Sequence, residues 1–553
     1  MSSRPISVPE APQATWTPMI IIVLAQIMMI FNISTLQVSM DAIATSFEAS
    51  ATTVGTAIVT YALVVAALIL PAARMAQRLG SRRLFRGAVL LFGAGMILMS
   101  VSPGVTIMIL AQIVCGLAAA ALVPTLVVLV ADNYAGEQQA KALGWLGGAP
   151  AMGIVLAFLL AGLLTSWIGW RFMFALVAAL AGAVFHLSNR LSAARKPSDV
   201  AIDWIGAVLA GLAILFISVG ANNLTNWGVL LAKSDAPFSL LDMSPAPLMI
   251  LADVFLVQAF VSWSRRRDAR GAQALVALEV VGAAPERAAL FSIFIISAIA
   301  SAATFLIPLY VQVVQGRSSF DTALTVIPFS VASFIAAVLV VRLYGRASPA
   351  QIGRYSFLLV AAGLALLGAT IRNDWSNWMV VLGMTTAGLG EGALVTLLFN
   401  VLVTASPTKL AADVGSVRGA TNNLATAVGT ALAAALLISL LDRSVHYELV
   451  HNADLPAEVK SDLGLDDVAF VSNDRLREAL SQTSASPEDV NTAVQINTHA
   501  RLLALKITFF AFAGFALLAY FPAGALPRYA PKELPGAAPD LAPGEPSPAS
   551  SPA

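Results

Sequence analysis

The chain has 553 residues, of which 58% are hydrophobic and only 11% are charged, and its formal net charge is +1 at pH 7. About a quarter of the residues of an average soluble protein are charged, so this chain has too little charge to cover a surface in water. The near-neutral balance also excludes the basic surface that nucleic-acid binding requires.

Cysteine and histidine are too few for the usual metal and redox sites. The one cysteine of the sequence, Cys115, lies inside an apolar run, which excludes an intramolecular disulfide and a thiolate cluster. The four histidines show no metal-ligand spacing. The sequence also lacks a phosphate-binding glycine loop and a Ser/His/Asp set. We therefore predict no metal, no cofactor and no enzymatic activity.

Fourteen apolar runs, most of them close to the roughly 20 residues that cross the hydrocarbon core of a bilayer, follow one another along the chain. They are continuously apolar rather than alternating, which excludes a transmembrane β-barrel. We therefore predict an all-α polytopic membrane protein. The predicted spans are 17–37, 52–71, 84–100, 105–130, 142–164, 173–187, 203–220, 247–263, 288–311, 322–341, 355–371, 378–401, 414–441 and 502–521.

Arginine is concentrated in alternate connectors. The connector after span 2 holds Arg78, Arg82 and Arg83 around Gly80, and the connectors after spans 6, 8 and 10 are also basic. The connectors after spans 3, 7, 9 and 11 hold few basic residues. Because basic connectors stay in the cytoplasm, this alternation predicts that both termini are cytoplasmic.

Three segments are expected outside the membrane. Residues 1–16 are polar and proline-rich and are expected to form a disordered cytoplasmic arm. Residues 526–553 are rich in proline, alanine and serine and are expected to form a disordered cytoplasmic tail. The acidic, polar connector 442–501 is expected in the periplasm.

Two connectors and several span ends carry recognisable motifs. Residues Ala73-Arg-Met-Ala-Gln77-Arg78-Leu-Gly80-Ser-Arg82-Arg83 resemble the signature Gly-x-Leu-Ala-Asp-Arg-x-Gly-Arg-Lys/Arg of the major facilitator superfamily. In span 5, Ala149-Pro150-Ala-Met-Gly153 is similar to the Gly-Pro-x-x-Gly-Gly antiporter motif of that superfamily. Further segments look like its fourteen-helix drug:proton antiporter branch, namely Trp170-Arg171-Phe-Met-Phe174, Asp203-Trp-Ile-Gly206 and Pro308-Leu-Tyr-Val-Gln312.

This resemblance implies the architecture. It implies two six-helix bundles, residues 17–189 and 286–525, with an extra, peripheral helix pair in residues 190–270. It also implies a substrate site near the bilayer midplane and a rocking form of alternating access. Spans 1, 4, 9 and 12 would line the cavity.

Three charged positions of the family pattern are amides here. The acidic residue of the first span is Asn32, the arginine of span 4 is Gln112, and the aspartate of the signature connector is Gln77. An amide keeps the hydrogen bonding but does not titrate. None of the three can carry a proton.

Glu391 is the leading candidate for proton coupling. It lies near the middle of span 12, in Gly388-Leu-Gly390-Glu391-Gly392, and ionisable groups at membrane depth are costly and therefore point to function. The glycines allow neighbouring helices to approach and to enclose the carboxyl group. The alternative is a packing role, with the carboxyl bonded to a neighbouring serine or amide.

Other polar residues are candidates for binding or gating. Neutral side chains on the predicted cavity helices either bind the solute or join helices by hydrogen bonds; these are Gln26, Asn32, Gln112, Tyr310, Gln312 and Asn400. Arg418, which opens span 13, is either a gate or an interfacial anchor. Gating or structural roles are expected for Ala73, Gln77, Arg78, Gly80, Arg82, Arg83, Pro150, Gly153 and Arg418.

Three functions remain open from the sequence. The family resemblance favours a secondary transporter that exports an amphipathic or aromatic small molecule across the inner membrane, with protons as a candidate co-substrate. The neutral lining motivates an importer or facilitator of a nutrient, for example a planar vitamin such as riboflavin. A non-transporting receptor with a partner site in 442–501 is the third. The expected partners are a small molecule and the lipid bilayer, without nucleic acid, and we expect a monomer.

Overall fold

The structure is a computed structural model that describes most of residues 15–528. The residues it leaves out within that range are 135, 193–201, 225–226, 229, 234–235, 273, 277–281, 283, 344–345, 374–377, 406–410 and, between 452 and 485, all but 473 and 476–478. The predicted arm 1–16, the predicted tail 526–553 and much of the connector 442–501 therefore lie largely outside the described residues.

Long helices account for almost all of the described chain. They are α1 Thr17–Val38, α2 Ala51–Leu79, α3 Ser81–Ser100, α4 Val105–Asn133, α5 Gly136–Ile168, α6 Trp170–Leu187, α7 Trp204–Asn223, α8 Pro245–Ala269, α9 Ala284–Leu309, α10 Ser319–Leu339, α11 Pro349–Thr370, α12 Trp378–Ala405, α13 Ala411–His451 and α14 Pro487–Leu518. A short helix, Met40–Ser46, follows α1, and a π-helical turn, Tyr310–Val314, extends α9.

The predicted fold class is confirmed. Within the described residues, 13 helices are long and apolar enough to cross a membrane. The remaining long helix, α5, has 33 residues and contributes the apolar stretch Leu156–Thr165. Each predicted span overlaps one of these helices, and the described β-structure is limited to isolated bridges in the connector between α7 and α8.

The basic connector after span 2 is shorter than the sequence suggested. Helix α2 continues to Leu79 and α3 begins at Ser81, so the break between them is the single residue Gly80. Gly80 has a φ of 90°, a conformation that residues with a Cβ rarely adopt. The arginines of this region therefore stand on two helix ends rather than on a loop.

Two helical bundles meet through two pairs of helices. In the N-terminal bundle α1 packs on α5 and α6, α2 packs on α4, and α3 packs on α4 and α6. In the C-terminal bundle α9 packs on α13, α12 packs on α10 and α11, and α14 packs on α11 and α13. The bundles touch chiefly where α2 meets α13 and where α5 meets α10.

The extra pair α7 and α8 lies at the periphery. Helix α7 packs on α2 and α13, whereas the main neighbour of α8 is α7. Only 6% of the most apolar window of α8 is buried within the protein. Most side chains of α8 therefore face the lipid, except those that pack against α7.

The two ends of the bundles can be named from the connectors. We call the end that bears Gly80 the inner end and the end that bears Gly104 and Gly316 the outer end. On the outer side, α13 and α14 extend well beyond the predicted spans, to His451 and from Pro487. Arg501, which was predicted in the connector, consequently lies inside α14 and is fully buried.

Candidate functional site

Asn32 on α1 and Gln112 on α4 form a reciprocal amide pair. The Nδ2 of Asn32 donates to Oε1 of Gln112 at 2.8 Å, and Nε2 of Gln112 donates to Oδ1 of Asn32 at 3.1 Å. Both side chains are 0% exposed. The two positions where the family pattern is charged thus form one neutral unit that joins α1 to α4, and a solute could reach these amides only if the pair opened.

Glu391 lies on the buried face of α12. Most residues three, four and seven positions away, which share its side of the helix, are almost fully enclosed. Met384, Ala387, Leu394 and Leu398 are at most 3% exposed, whereas Val395 is 36% exposed. Glu391 itself keeps partial exposure. It is the acidic member of an otherwise apolar stripe.

The glycines around Glu391 explain how it is held. A Cβ on Gly388 would overlap the carbonyl oxygen of Phe329, and one on Gly392 would overlap the carbonyl oxygen of Ser333. This contact brings α10 against α12, and the hydroxyl of Ser333 donates to the Glu391 carboxyl. No arginine or lysine in the described part of the chain forms an ion pair with Glu391. The carboxyl can therefore exchange a proton without breaking a salt bridge.

The remaining predicted cavity residues are not brought together. Asn400 is nine residues from Glu391, which places it on the opposite face of α12 because successive residues are about 100° apart. Asn400 and Gln26 are both half-buried. Glu391 and Asn400 thus face different neighbours.

Gln312 ties the two bundles together at the outer end. Its Oε1 accepts from the backbone N–H of Asp41 at 2.9 Å, and its Nε2 donates to the carbonyls of Val38 at 2.8 Å and Gln37 at 3.3 Å and to Oγ1 of Thr322 at 3.1 Å. Gln312 is 3% exposed. It caps the end of α1 from the other bundle, a set of bonds that we call the outer tie.

Two further contacts shape this end of the protein. Gln37 on α1 donates to Oγ1 of Thr304 on α9 at 3.3 Å, which adds a second contact between the bundles. The hydroxyl of Tyr310 donates to the carbonyl of Arg372 at 2.6 Å and accepts from its N–H at 3.1 Å. Tyr310 therefore fixes the π-helical turn to the α11–α12 connector within its own bundle.

Arg501 reinforces the π-helical turn from α14. Its Nη1 donates to the carbonyl of Val313 at 3.1 Å, and its Nη2 donates to Oδ1 of Asn473. Val313 lies at the C-terminal end of this helical segment, where the last carbonyl groups have no partner within the helix. The buried guanidinium of Arg501 supplies one such carbonyl with a donor.

Arg74 and Asp413 join the bundles near the inner end. Nη2 of Arg74 on α2 lies 3.1 Å from Oδ1 of Asp413 on α13, and the two side chains are 13% and 15% exposed. Arg74 also donates to the carbonyls of Ala274 and Leu275. Its Nη1 donates to Oε1 of Gln77 at 3.5 Å. We call the Arg74–Asp413 pair the inner tie.

The other signature residues surround this pair without joining it. Arg78 and Arg83 are exposed, whereas Arg82 donates to the carbonyl of Asn189 at 2.9 Å. Ala73 is half-buried on α2 next to Arg74. Gly80 provides the break that turns α2 into α3.

Gly153 and Arg418 lie at helix contacts. Pro150 is within α5, and its side chain lies outside the described residues. A Cβ on Gly153 would come within 2.9 Å of Cδ1 of Ile30, so the glycine allows α5 to approach α1. The guanidinium of Arg418 stacks on the ring of Phe399 at 4.3 Å, which joins α13 to α12.

Sequence reasoning missed the long-range partners at both ends. In the sequence, Arg74 stands out only as part of the signature segment 73–83, and no role is predicted for Asp413, Gln37, Thr304 and Arg501. An acidic residue at the start of α13 was the available sign for Asp413. No local pattern predicts the partners of Gln37, Thr304 and Arg501.

The family model and the related proteins both indicate one family of transporters. A family model described as Major Facilitator Superfamily matches residues 22–430. A probable actinorhodin transporter of Streptomyces coelicolor is 25% identical over 438 residues, 77% of this chain and 73% of that protein. A multidrug resistance protein B homologue of Mycobacterium tuberculosis is 24% identical over 527 residues, 92% of this chain and 89% of that protein.

A solved structure shares the fold. The crystal structure of a bacterial homologue of the human lysosomal transporter Spinster, inward-facing and unoccupied, matches with a TM-score of 0.56 at 13% sequence identity. The match covers 93% of this chain and 98% of that chain.

Proposed function

This chain belongs to the major facilitator superfamily, and we propose that it is an exporter of a small amphipathic or aromatic solute across the inner (plasma) membrane. Two relatives that cover most of the chain are described as a probable actinorhodin transporter and a multidrug resistance protein B homologue. A third is described as a lincomycin resistance protein of Streptomyces lincolnensis. These names support export of organic molecules as the working proposal.

The position and bonding of Glu391 are the main support for proton coupling. It is a carboxyl group on the buried face of α12 that is bonded to a serine hydroxyl and has no cationic partner in the described residues. The other family positions that are charged in the first and fourth spans form the neutral pair Asn32–Gln112. Proton coupling, in this proposal, is therefore assigned to Glu391.

The two ties supply the gates of an alternating-access cycle. The outer tie joins α1 to the π-helical turn after α9, and the inner tie joins α2 to α13. Rocking one bundle against the other would break one tie while the other holds. In the proposed cycle, solute enters when the inner tie is broken and leaves when the outer tie is broken.

Orientation follows from the basic connectors. The inner end carries Arg78, Arg82 and Arg83 and is assigned to the cytoplasm because basic connectors are retained there. Both termini then lie in the cytoplasm. The solute would move from the inner end to the outer end.

A ligand screen followed by a flux measurement tests direction. Thermal unfolding of the purified protein against a panel of planar aromatic and amphipathic compounds, riboflavin included, identifies the ligand to be labelled. Everted vesicles energised to be acidic inside should accumulate that compound, whereas vesicles that lack the protein should not. Accumulation by intact cells instead, with rescue of an auxotroph at low external nutrient, would overturn export in favour of import.

A further inference from the structure

An arginine-lined cavity lies at the inner end of the C-terminal bundle, away from both ties. Its volume is about 460 Å³, and it is lined by Arg346, Arg354 and Arg528 together with Ser348 and Gln351. It lies between the start of α11 and the segment that follows α14. Neither the inner tie nor Glu391 contributes to it.

The segment after α14 is docked firmly against α11. The backbone N–H of Ala350 donates to the carbonyl of Pro527 at 3.1 Å. Leu526 is 2% exposed, and a Cβ on Gly353 would lie 2.9 Å from its Cδ1. These contacts place Arg528 beside the first turn of α11.

Arg354 is held in place by its neighbours. Its guanidinium stacks over the ring of Tyr520 at 5.0 Å from the centroid. A Cβ on Gly524 would overlap its Nη2, so the glycine leaves the space that the guanidinium fills. Its Nε is buried and has no acceptor in the described part of the chain. A buried charged donor without an acceptor is unfavourable, and a bound anion would remove that cost.

The charges around the cavity favour an anion. The described residues provide none of Arg346, Arg354 and Arg528 with a carboxylate partner. The N-terminus of α11 adds the positive end of a helix dipole, although Ser348 and Gln351 already form its capping bonds. Guanidinium groups match the geometry of phosphate oxygens and form paired hydrogen bonds with them.

The surroundings of the cavity favour a lipid over a free anion. Large apolar side chains near the cavity are exposed: Tyr355 on α11 is 67% exposed, Leu518 at the end of α14 is 62% exposed, and Phe521 just after α14 is 72% exposed. They lie within a few residues of Arg354 or Gly524 and face away from the bundle. A molecule that carries both a phosphate and acyl chains would contact the arginines and these side chains at once.

We propose that this cavity binds the headgroup of an anionic phospholipid from the leaflet at the inner end. The headgroup phosphate contacts the three arginines, and the acyl chains run along the exposed apolar side chains of α11 and the end of α14. Basic pockets between membrane helices bind anionic headgroups in this way. The bound lipid links the connector before α11 to the end of α14.

Lipid binding to the purified full-length protein tests the site. Native mass spectrometry should give tighter binding for phosphatidylglycerol than for phosphatidylcholine. Arg346→Gln combined with Arg528→Gln should weaken phosphatidylglycerol binding by about fivefold for each arginine removed. Both side chains are exposed, so the variant is expected to fold, and its thermal unfolding in detergent is measured alongside.

Two further variants and one competitor complete the test. Arg266→Gln on the peripheral helix α8 removes one inner-end charge and should leave binding within twofold. Gly524→Ala changes no charge but displaces the Arg354 guanidinium, and it should weaken binding. Inorganic phosphate should not displace the lipid. Equal affinity for the two lipids, unchanged binding in the double variant, or full displacement by inorganic phosphate would each overturn the proposal.

Discussion

Replacement of Gln312 by alanine should open the outer end of the protein. The side chain makes four polar contacts, and three of them reach across to the N-terminal bundle. Nε2 has only two hydrogens, so its three acceptors compete for them. We therefore count two full hydrogen bonds from Gln312 to the N-terminal bundle. At about 1 kcal/mol each, Gln312→Ala removes about 2 kcal/mol from the outer-closed state.

That loss translates into a measurable shift of populations. About 2 kcal/mol corresponds to about a 30-fold change in the ratio of outer-closed to outer-open protein. In the outer-open state, water hydrates the groups at the end of α1 in both proteins. The loss therefore falls on the outer-closed state alone. The outer-open state should therefore become strongly enriched in the variant.

Distances between spin labels report the change. Thr45 and Asn373 are exposed at the outer end, one in each bundle, and can be replaced by cysteine for labelling. Cys115 is buried and is replaced by alanine in the background. Double electron–electron resonance should show a longer distance between the labels in the Gln312→Ala protein.

A neighbouring glutamine provides the matched control. Gln315 donates to the hydroxyl of Tyr310 at 2.8 Å and to the carbonyl of Arg372 at 3.3 Å, so these bonds stay within the C-terminal bundle. Gln315→Ala should leave the distance distribution as in the parent. An unchanged distribution in Gln312→Ala, or the same lengthening in both variants, would refute the assignment of the outer tie.

Two further predictions concern stability, measured by thermal unfolding in detergent. Gly392→Ala forces α12 away from α10 and should lower the free energy of unfolding by about 1–3 kcal/mol. Gly415→Ala places its Cβ with no atom within 4 Å and should leave the free energy of unfolding unchanged. Equal losses in the two variants would contradict the close packing of α12 on α10. Asn32→Ala and Gln112→Ala should each lower the free energy of unfolding by about 1–3 kcal/mol, because each leaves the other amide buried and unpaired. The double variant should lose less than the sum of the two single variants. Additive losses would contradict the pairing of Asn32 with Gln112.

The helices could be predicted because the signal for each is local. A run of apolar residues of membrane length is visible in sequence whatever its neighbours are. The break at Gly80 was also marked by its residue type, but its extent was not. The extra turns of α2, α13 and α14 contain charged and polar residues beyond the membrane-length run, so hydropathy alone ended those spans too early.

The contacts of the site could not be predicted because they join distant parts of the chain. Asp41 and Gln312 are 271 residues apart, and Asn32 and Gln112 are 80 apart. The sequence marked Gln312 and Asn32 as polar residues at membrane depth but held no information on which partner each would meet. The partner decides whether an amide faces a solute or joins two helices.

The sequence identifies Glu391 as a candidate but does not identify its hydrogen-bond partner. Its position among glycines in an apolar run identified it from the sequence. Its hydrogen bond from Ser333 depends on how closely α10 and α12 approach, which follows from the packing of Gly388 and Gly392. Its role in coupling stays a prediction.

Proton-coupled flux in reconstituted vesicles tests the central claim most directly. With the labelled ligand from the screen, a pH gradient should drive accumulation by the wild-type protein, and Glu391→Gln should abolish this while ligand exchange without a gradient persists. Asp253→Asn, a neutralised acid on the peripheral helix α8, should behave as wild type. Accumulation in Glu391→Gln that still follows the pH gradient would contradict the account.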